Sequence, residues 1–140
     1  MRGRSKTLAT WLALIGGAVG LHRLYLYGPG QAITWLHLPM TAAGVVGAVR
    51  TQTLGQDDRL AWCLMPLLGL MLAQGALHAI VYGLTPDDAW RLQHDPGGEP
   101  QPTRWGPVFG AITALLLGGI VLMSTIAFAV QRFFEWQLGR

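Results

Sequence analysis

Four long apolar stretches, separated by short charged clusters, constrain this chain more than any other feature. The charges gather at Arg2, Arg4 and Lys6; at Arg50, Asp57, Asp58 and Arg59; between Asp87 and Arg104; and at Arg132, Glu135 and Arg140. A nearly uncharged run of about 18 residues or more, when helical, has the length of a bilayer core. Only 12% of the residues are charged, about half the share of a soluble domain, too few to coat a surface facing water. The chain is therefore read as an all-α integral membrane protein. Its net charge of +3 sits at the ends of the apolar runs, a pattern of membrane topology rather than of nucleic-acid binding.

The patterning predicts four transmembrane helices, at about 7–27, 31–49, 60–83 and 105–137. Gly28-Pro29-Gly30 is long enough only for a tight hairpin between neighbours. Pro39 and Pro66 fall inside the second and third helices and are expected to kink them, because each removes a backbone donor. The segment 84–104 differs in kind, with Pro86, Pro96, Pro100, Pro102 and Gly97-Gly98. Thr85-Pro86-Asp87-Asp88 reads as a helix start. A short interfacial helix to about His94 is expected, with Trp90 and Leu92 toward lipid and a polar loop after it. The division is a hairpin over 1–50, a connector over 51–59, and a second hairpin over 60–140 with its outer loop at 84–104. Apolar character that continues to Leu26 favours a retained span over a leader cleaved near Ala18-Val19-Gly20.

Lysine and arginine counts set the orientation. With four spans, one side holds Arg2, Arg4, Lys6, Arg50, Arg59, Arg132 and Arg140, and the other holds Arg23, Arg91 and Arg104. The excess places both chain ends in the cytoplasm and the helices in an antiparallel bundle in the inner (cytoplasmic) membrane. Trp11, Trp62 and Trp136 then mark the inner interface. Tyr25, Tyr27, Trp35, Tyr82 and Trp105 mark the outer one.

The stretch from Gly17 to Gly28 carries a recognisable pattern. Gly17, Gly20, His22, Arg23, Tyr25 and Leu26 fit Gly-x-x-Gly-x-His/Asp-Arg-Phe-Tyr-Leu-Gly, and over about 6–50 the chain resembles the TM-two domain family. Leu24 stands where that family carries Phe, Tyr27 intrudes before Gly28, and no acidic residue lies between Gln31 and Val49. The resemblance implies two membrane helices joined by a short turn, without a defined chemistry. On physical grounds Gly16, Gly17 and Gly20 clear one helix face for close approach. His22, Arg23, Tyr25 and Tyr27 are expected at the membrane interface, where Arg23 can snorkel to headgroup phosphates or meet a partner. Leu77-His78 and Tyr82-Gly83 faintly echo Leu21-His22 and Tyr27-Gly28.

No Asp or Glu lies between Thr7 and Val49, between Leu60 and Gly83, or between Trp105 and Arg132, against proton-coupled transport and intramembrane aspartyl proteolysis. Ser124 lacks a nucleophile elbow, and Gly118-Gly119 lacks the lysine of a phosphate loop. The single cysteine, Cys63, supports neither a disulfide framework nor a zinc site. No catalytic residue is assigned and the protein is read as non-enzymatic. One polar set stands out. Thr34, His37 and Thr41 share a helix face, as do Gln74 and His78. His37, Gln74 and His78 are candidate ligand contacts. No cofactor is predicted, but two opposed imidazoles can hold haem iron or copper, or meet a quinone headgroup. Gly106, Gly110, Ala114 and Gly118 recur every four residues, with Ala43 and Gly47 as a smaller ridge, for packing within the bundle or against another copy or membrane protein. The leading function is a membrane scaffold or accessory subunit that binds lipid or a membrane partner. A ligand-binding or redox accessory role and a small oligomeric channel or transporter are the alternatives.

Overall fold

In the computed structural model, residues 3–99, 102 and 104–139 are described; Arg2, Pro100 and Arg140 of the sequence reading lie outside them. Among the described residues all regular structure is helical. The order is α1 (Lys6–Gly16), a 3-10 turn (Gly17–Val19), α2 (Leu21–Tyr27), α3 (Ala32–Leu54), α4 (Arg59–Leu84), α5 (Asp87–His94) and α6 (Trp105–Leu138). Of these, α3, α4 and α6 are long and apolar enough to cross a membrane. At 1.5 Å per residue they reach about 35, 39 and 51 Å, against a hydrocarbon core of about 30 Å. Both α3 and α4 continue through their internal prolines, Pro39 and Pro66.

The first expected helix does not form as one rod. The chain leaves the right-handed helix at the glycines, and Gly20 takes φ 80°, ψ 18°. A residue with a β-carbon would pay about 1–2 kcal/mol to sit there. The direction then reverses, and α2 runs back along α1. The amide of Ser5, which caps α1, donates to the Tyr25 hydroxyl near the end of α2 at 2.8 Å. Along one straight helix those residues would stand about 30 Å apart. With lengths of about 17 Å and 10 Å, neither arm can cross a bilayer core.

This reversal also relocates the start of the chain. Lys6 Nζ lies 2.9 Å from the Asp87 carboxylate, and the Trp90 indole donates to the Arg4 carbonyl at 2.9 Å. The start of α1 therefore shares an end of the bundle with α5. The last turns of α6 lie at the opposite end, where Arg132 donates to Gln56 Oε1 at 2.9 Å ahead of α4. The sequence reading had both chain ends together, because it counted the broken segment as a crossing. Trp11 moves with it and packs beside Gly110, in the half of α6 nearest α5.

Helix α4 is the hub, packed against α1, α3 and α6. Gly44 and Gly47 of α3 face Leu68 and Leu64–Met65 of α4. Gly83 faces Pro107 and Ala111, and Ala76 faces Gly118. Numbers rise along one partner as they fall along the other, so neighbours run in opposite directions. On α3 the close contact is made by Gly44 and Gly47, while Ala43 is only half-buried. The small residues of α6 are used inside the fold: Gly106 faces Thr7, Gly110 faces Thr10, and Ala114 is fully buried.

The short helix α5 forms where expected, with Leu92 outward as expected but Trp90 turned inward. Trp90 is buried among Tyr82 and His94, while Leu92 is 73% exposed. The indole N–H is drawn inward by the Arg4 carbonyl. Thr85 does not cap α5; its hydroxyl donates back to Val81 of α4 at 2.6 Å. Across the link between α3 and α4, residues 55–58, Arg50 grips Asp58 through two bonds at 2.6 and 3.0 Å. That guanidinium holds the Asp58 carboxyl below the usual aspartate range.

The hairpin meets α4 backbone to backbone between Gly17 and Gly75, where a β-carbon on Gly17 would come within 2.4 Å of the Gly75 Cα. Backbone cannot yield as a side-chain tip can. Gly17→Leu is expected to destabilise the protein in detergent by at least about 1–3 kcal/mol. Gly119→Leu, which meets nothing within 4 Å, is expected to leave the unfolding midpoint in place.

Candidate functional site: a histidine cluster beside the helix break

A broken helix frees backbone groups, and in an apolar medium each must find a partner. Three bonds close this break. Gly20 N–H donates to the Gly17 carbonyl at 3.1 Å. The Gln74 amide of α4 donates to that same carbonyl at 2.8 Å. The Thr41 hydroxyl of α3 donates to the Ala18 carbonyl. Gln74 and Thr41, singled out in the sequence as polar groups on two helix faces, thus hold the hairpin tip between α3 and α4.

The same reversal carries His22 inward. It is fully buried, where the sequence reading had it at the membrane interface. The cause is register. Gly20 starts α2 facing back into the bundle, so His22 and Leu26, four apart, point to the core, and both are wholly buried. The His22 ring centroid lies 4.8 Å from that of His78, 6.0 Å from His37 and 6.0 Å from Tyr82. His37 and His78 each bond through Nδ1 to the carbonyl four residues earlier, Ile33 and Gln74 respectively, both at 2.8 Å. A carbonyl only accepts, so each Nδ1 carries a proton, and in the neutral ring Nε2 keeps its lone pair. Both ring nitrogens of His22 lack a hydrogen-bond partner, as does the buried Thr34 hydroxyl.

The remaining candidates sit nearer the end of the bundle. Arg23 lies over the Tyr27 ring at 5.6 Å, and its guanidinium reaches Gln31 at 3.4 Å. Tyr25 packs partly against the core and accepts from Ser5. Tyr27 is 46% exposed. A run of ring contacts leads outward from the cluster: His22 to Tyr82, Tyr82 to Trp90, and Trp90 stacked on His94 at 4.2 Å. Burial holds the His94 imidazole below the usual histidine range. At this end a cavity of about 90 Å³ lies among Arg4, Lys6, Asp87, Trp90, Arg91 and Arg104. The sequence reading missed Tyr82 and Trp90 as neighbours of the histidines. The i, i+4 spacing of His78 and Tyr82 was the available signal.

Comparison with known proteins agrees with the motif. Residues 2–49, about a third of the chain, match the family model of the TM2 domain; the remainder is unrecognised. No curated protein and no solved structure matches the chain. The matched region takes in α1, the turn, α2 and most of α3. The motif's Gly20 is therefore the residue that turns the chain, and its His22 enters the buried cluster.

Removing the two side chains that satisfy the tip tests this account. Gln74→Leu and Thr41→Val keep approximate volume, but the first removes one of the two bonds to the Gly17 carbonyl and the second removes the Thr41 bond to the Ala18 carbonyl. Each is expected to destabilise by about 0.5–2 kcal/mol. Their effects should be less than additive, because both hold the same turn. Unfolding in detergent measures both quantities.

Proposed function

We propose that this chain is a non-enzymatic membrane scaffold or accessory subunit that spans the bilayer three times, through α3, α4 and α6. The α1–α2 hairpin dips into the bilayer and returns to the side it left. Bilayer physics supports this reading: irregular backbone at membrane depth is tolerated where protein buries and satisfies it, as Gln74 and Thr41 do here.

The function follows from the α1–α5 end, and the carrying observation is its collection of cations. Arg4, Lys6, Arg23, Arg91 and Arg104 lie there, against Arg50, Arg59 and Arg132 at the other end among the described residues. The positive-inside rule then sets the α1–α5 end in the cytoplasm, and the end of α6 on the far side of the inner membrane. Exposed Trp35, Tyr27 and Trp105 ring the same end and suit the headgroup zone. Arg23, propped on Tyr27, is placed to hold an anionic headgroup phosphate.

Two measurements test this reading. With Cys63 replaced by Ser, impermeant maleimide should label Ser5→Cys and Gly98→Cys from one side of the membrane and Leu138→Cys from the other. Labelling of Ser5→Cys from the Leu138 side would reject three spans. In native mass spectra from mixed phosphatidylglycerol and phosphatidylcholine nanodiscs, the wild type should retain phosphatidylglycerol. Arg23→Gln with Arg104→Gln should retain several-fold less; equal retention would remove the lipid-binding role.

A further inference from the structure

The histidine cluster has more lone pairs than hydrogens to meet them. His37 and His78 each spend their one N–H on a backbone carbonyl, which leaves two Nε2 acceptors. Neutral His22 adds one donor and one further acceptor, and it has no hydrogen-bond partner at either nitrogen. Unpaired polar atoms this deep are rare in native proteins and call for an explanation. The rings are in direct contact, so the missing group is small: one atom rather than a planar haem or quinone.

We propose that this cluster is a binding site for a single monovalent copper ion, held by imidazole nitrogens of His22 and His78, with His37 as the neighbouring third donor. Three observations support it. First, the bonds from Nδ1 to a backbone carbonyl are the outer-shell arrangement that fixes a metal-binding histidine, with Nε2 turned free. Second, the spacing fits. Two imidazoles on one ion, with metal–nitrogen bonds of about 2.0–2.1 Å, place their ring centroids about 4.5–6.4 Å apart as the angle at the metal opens from a right angle to a line. The observed 4.8 Å and 6.0 Å fall in that range. No three imidazole, thiol or carboxylate groups already converge on one point among the described residues. The His22 ring gives up no hydrogen bond when it turns toward such an ion.

Third, the charge selects the ion. Imidazole suits zinc and copper, but no carboxylate or thiol is within the ring cluster to neutralise a dication. The Born penalty of burying an ion rises with the square of its charge, so a dication suffers about four times the penalty of a monocation. Neutral nitrogen ligands in an apolar bundle therefore favour Cu(I) over Zn(II). Binding changes no oxidation state and needs no partner reaction.

The test uses the full chain in detergent with Cys63→Ser, which removes the thiol as a competing ligand. Protein is titrated into Cu(I)–bicinchoninate, and loss of the chelator's colour reports transfer. One copper per chain is expected. X-ray absorption of the loaded protein should show a nitrogen-only first shell with the outer-shell pattern of imidazole. His22→Phe and His78→Phe should each weaken binding at least ten-fold, while His94→Gln, outside the cluster, should bind as before. Because a Phe variant can misfold, His22→Gln serves as a second removal, and the absorption spectrum needs no variant at all. The proposal fails if wild type takes no copper from the chelator, if sulfur appears in the first shell, if His22 variants bind unchanged, or if Zn(II) binds and Cu(I) does not.

Discussion

The hydrogen bonds that close the turn at Gly17–Gly20 govern the rest of this structure. A helix interrupted in an apolar medium leaves carbonyls with no water to meet them. Here Gln74 reaches the Gly17 carbonyl from α4 and Thr41 reaches the Ala18 carbonyl from α3. Those two bonds pin the hairpin tip between helices that cross the whole bundle. With the tip held, α2 must return alongside α1, which brings Tyr25 to Ser5 and His22 to His78. The position of the chain's start, the burial of His22 and the burial of Trp90 against the Arg4 carbonyl all follow from one reversal.

Helix α4 carries the opposing demands of this arrangement. It must let α1 approach to backbone contact, and it does so at Gly75, opposite Gly17. It must also present Gln74, His78 and Tyr82 along the same stretch. Small residues and polar residues therefore alternate on its inward side: Gln74, Gly75, His78, Ala79, Tyr82 and Gly83. In lipid, close packing and interhelical hydrogen bonds are the available sources of association, and this segment supplies both. On its outward side α6 exposes Leu115, Leu116 and Ile120, as suits a helix surrounded by acyl chains.

Much of this was legible in the sequence. Apolar length alone located α3, α4 and α6 to within a few residues, and Pro86 with the acids after it located α5. The family resemblance over the first third also held. What composition cannot register is direction. The stretch 7–27 is apolar enough to read as a span, and its glycines read equally well as a packing face or as a break. The polar groups that decide between them, Thr41 and Gln74, lie 23 and 57 residues away from the carbonyls they satisfy. The same long-range contact explains why His22 read as an interfacial residue: its burial depends on where α2 points, not on its neighbours in sequence. The spacing of His37 and His78 on their helices marked them as opposed groups, but the imidazole that touches both, His22, comes from the hairpin.

The most direct test of the hairpin is a distance across it. Spin labels at positions 5 and 27, with Cys63 replaced by Ser, can be measured by pulsed electron–electron resonance in nanodiscs. A folded-back hairpin predicts a distribution centred below about 20 Å, given that Ser5 already touches Tyr25. A distribution centred above about 30 Å, the span of an unbroken helix of that length, would contradict the reversal and restore the first segment as a membrane crossing.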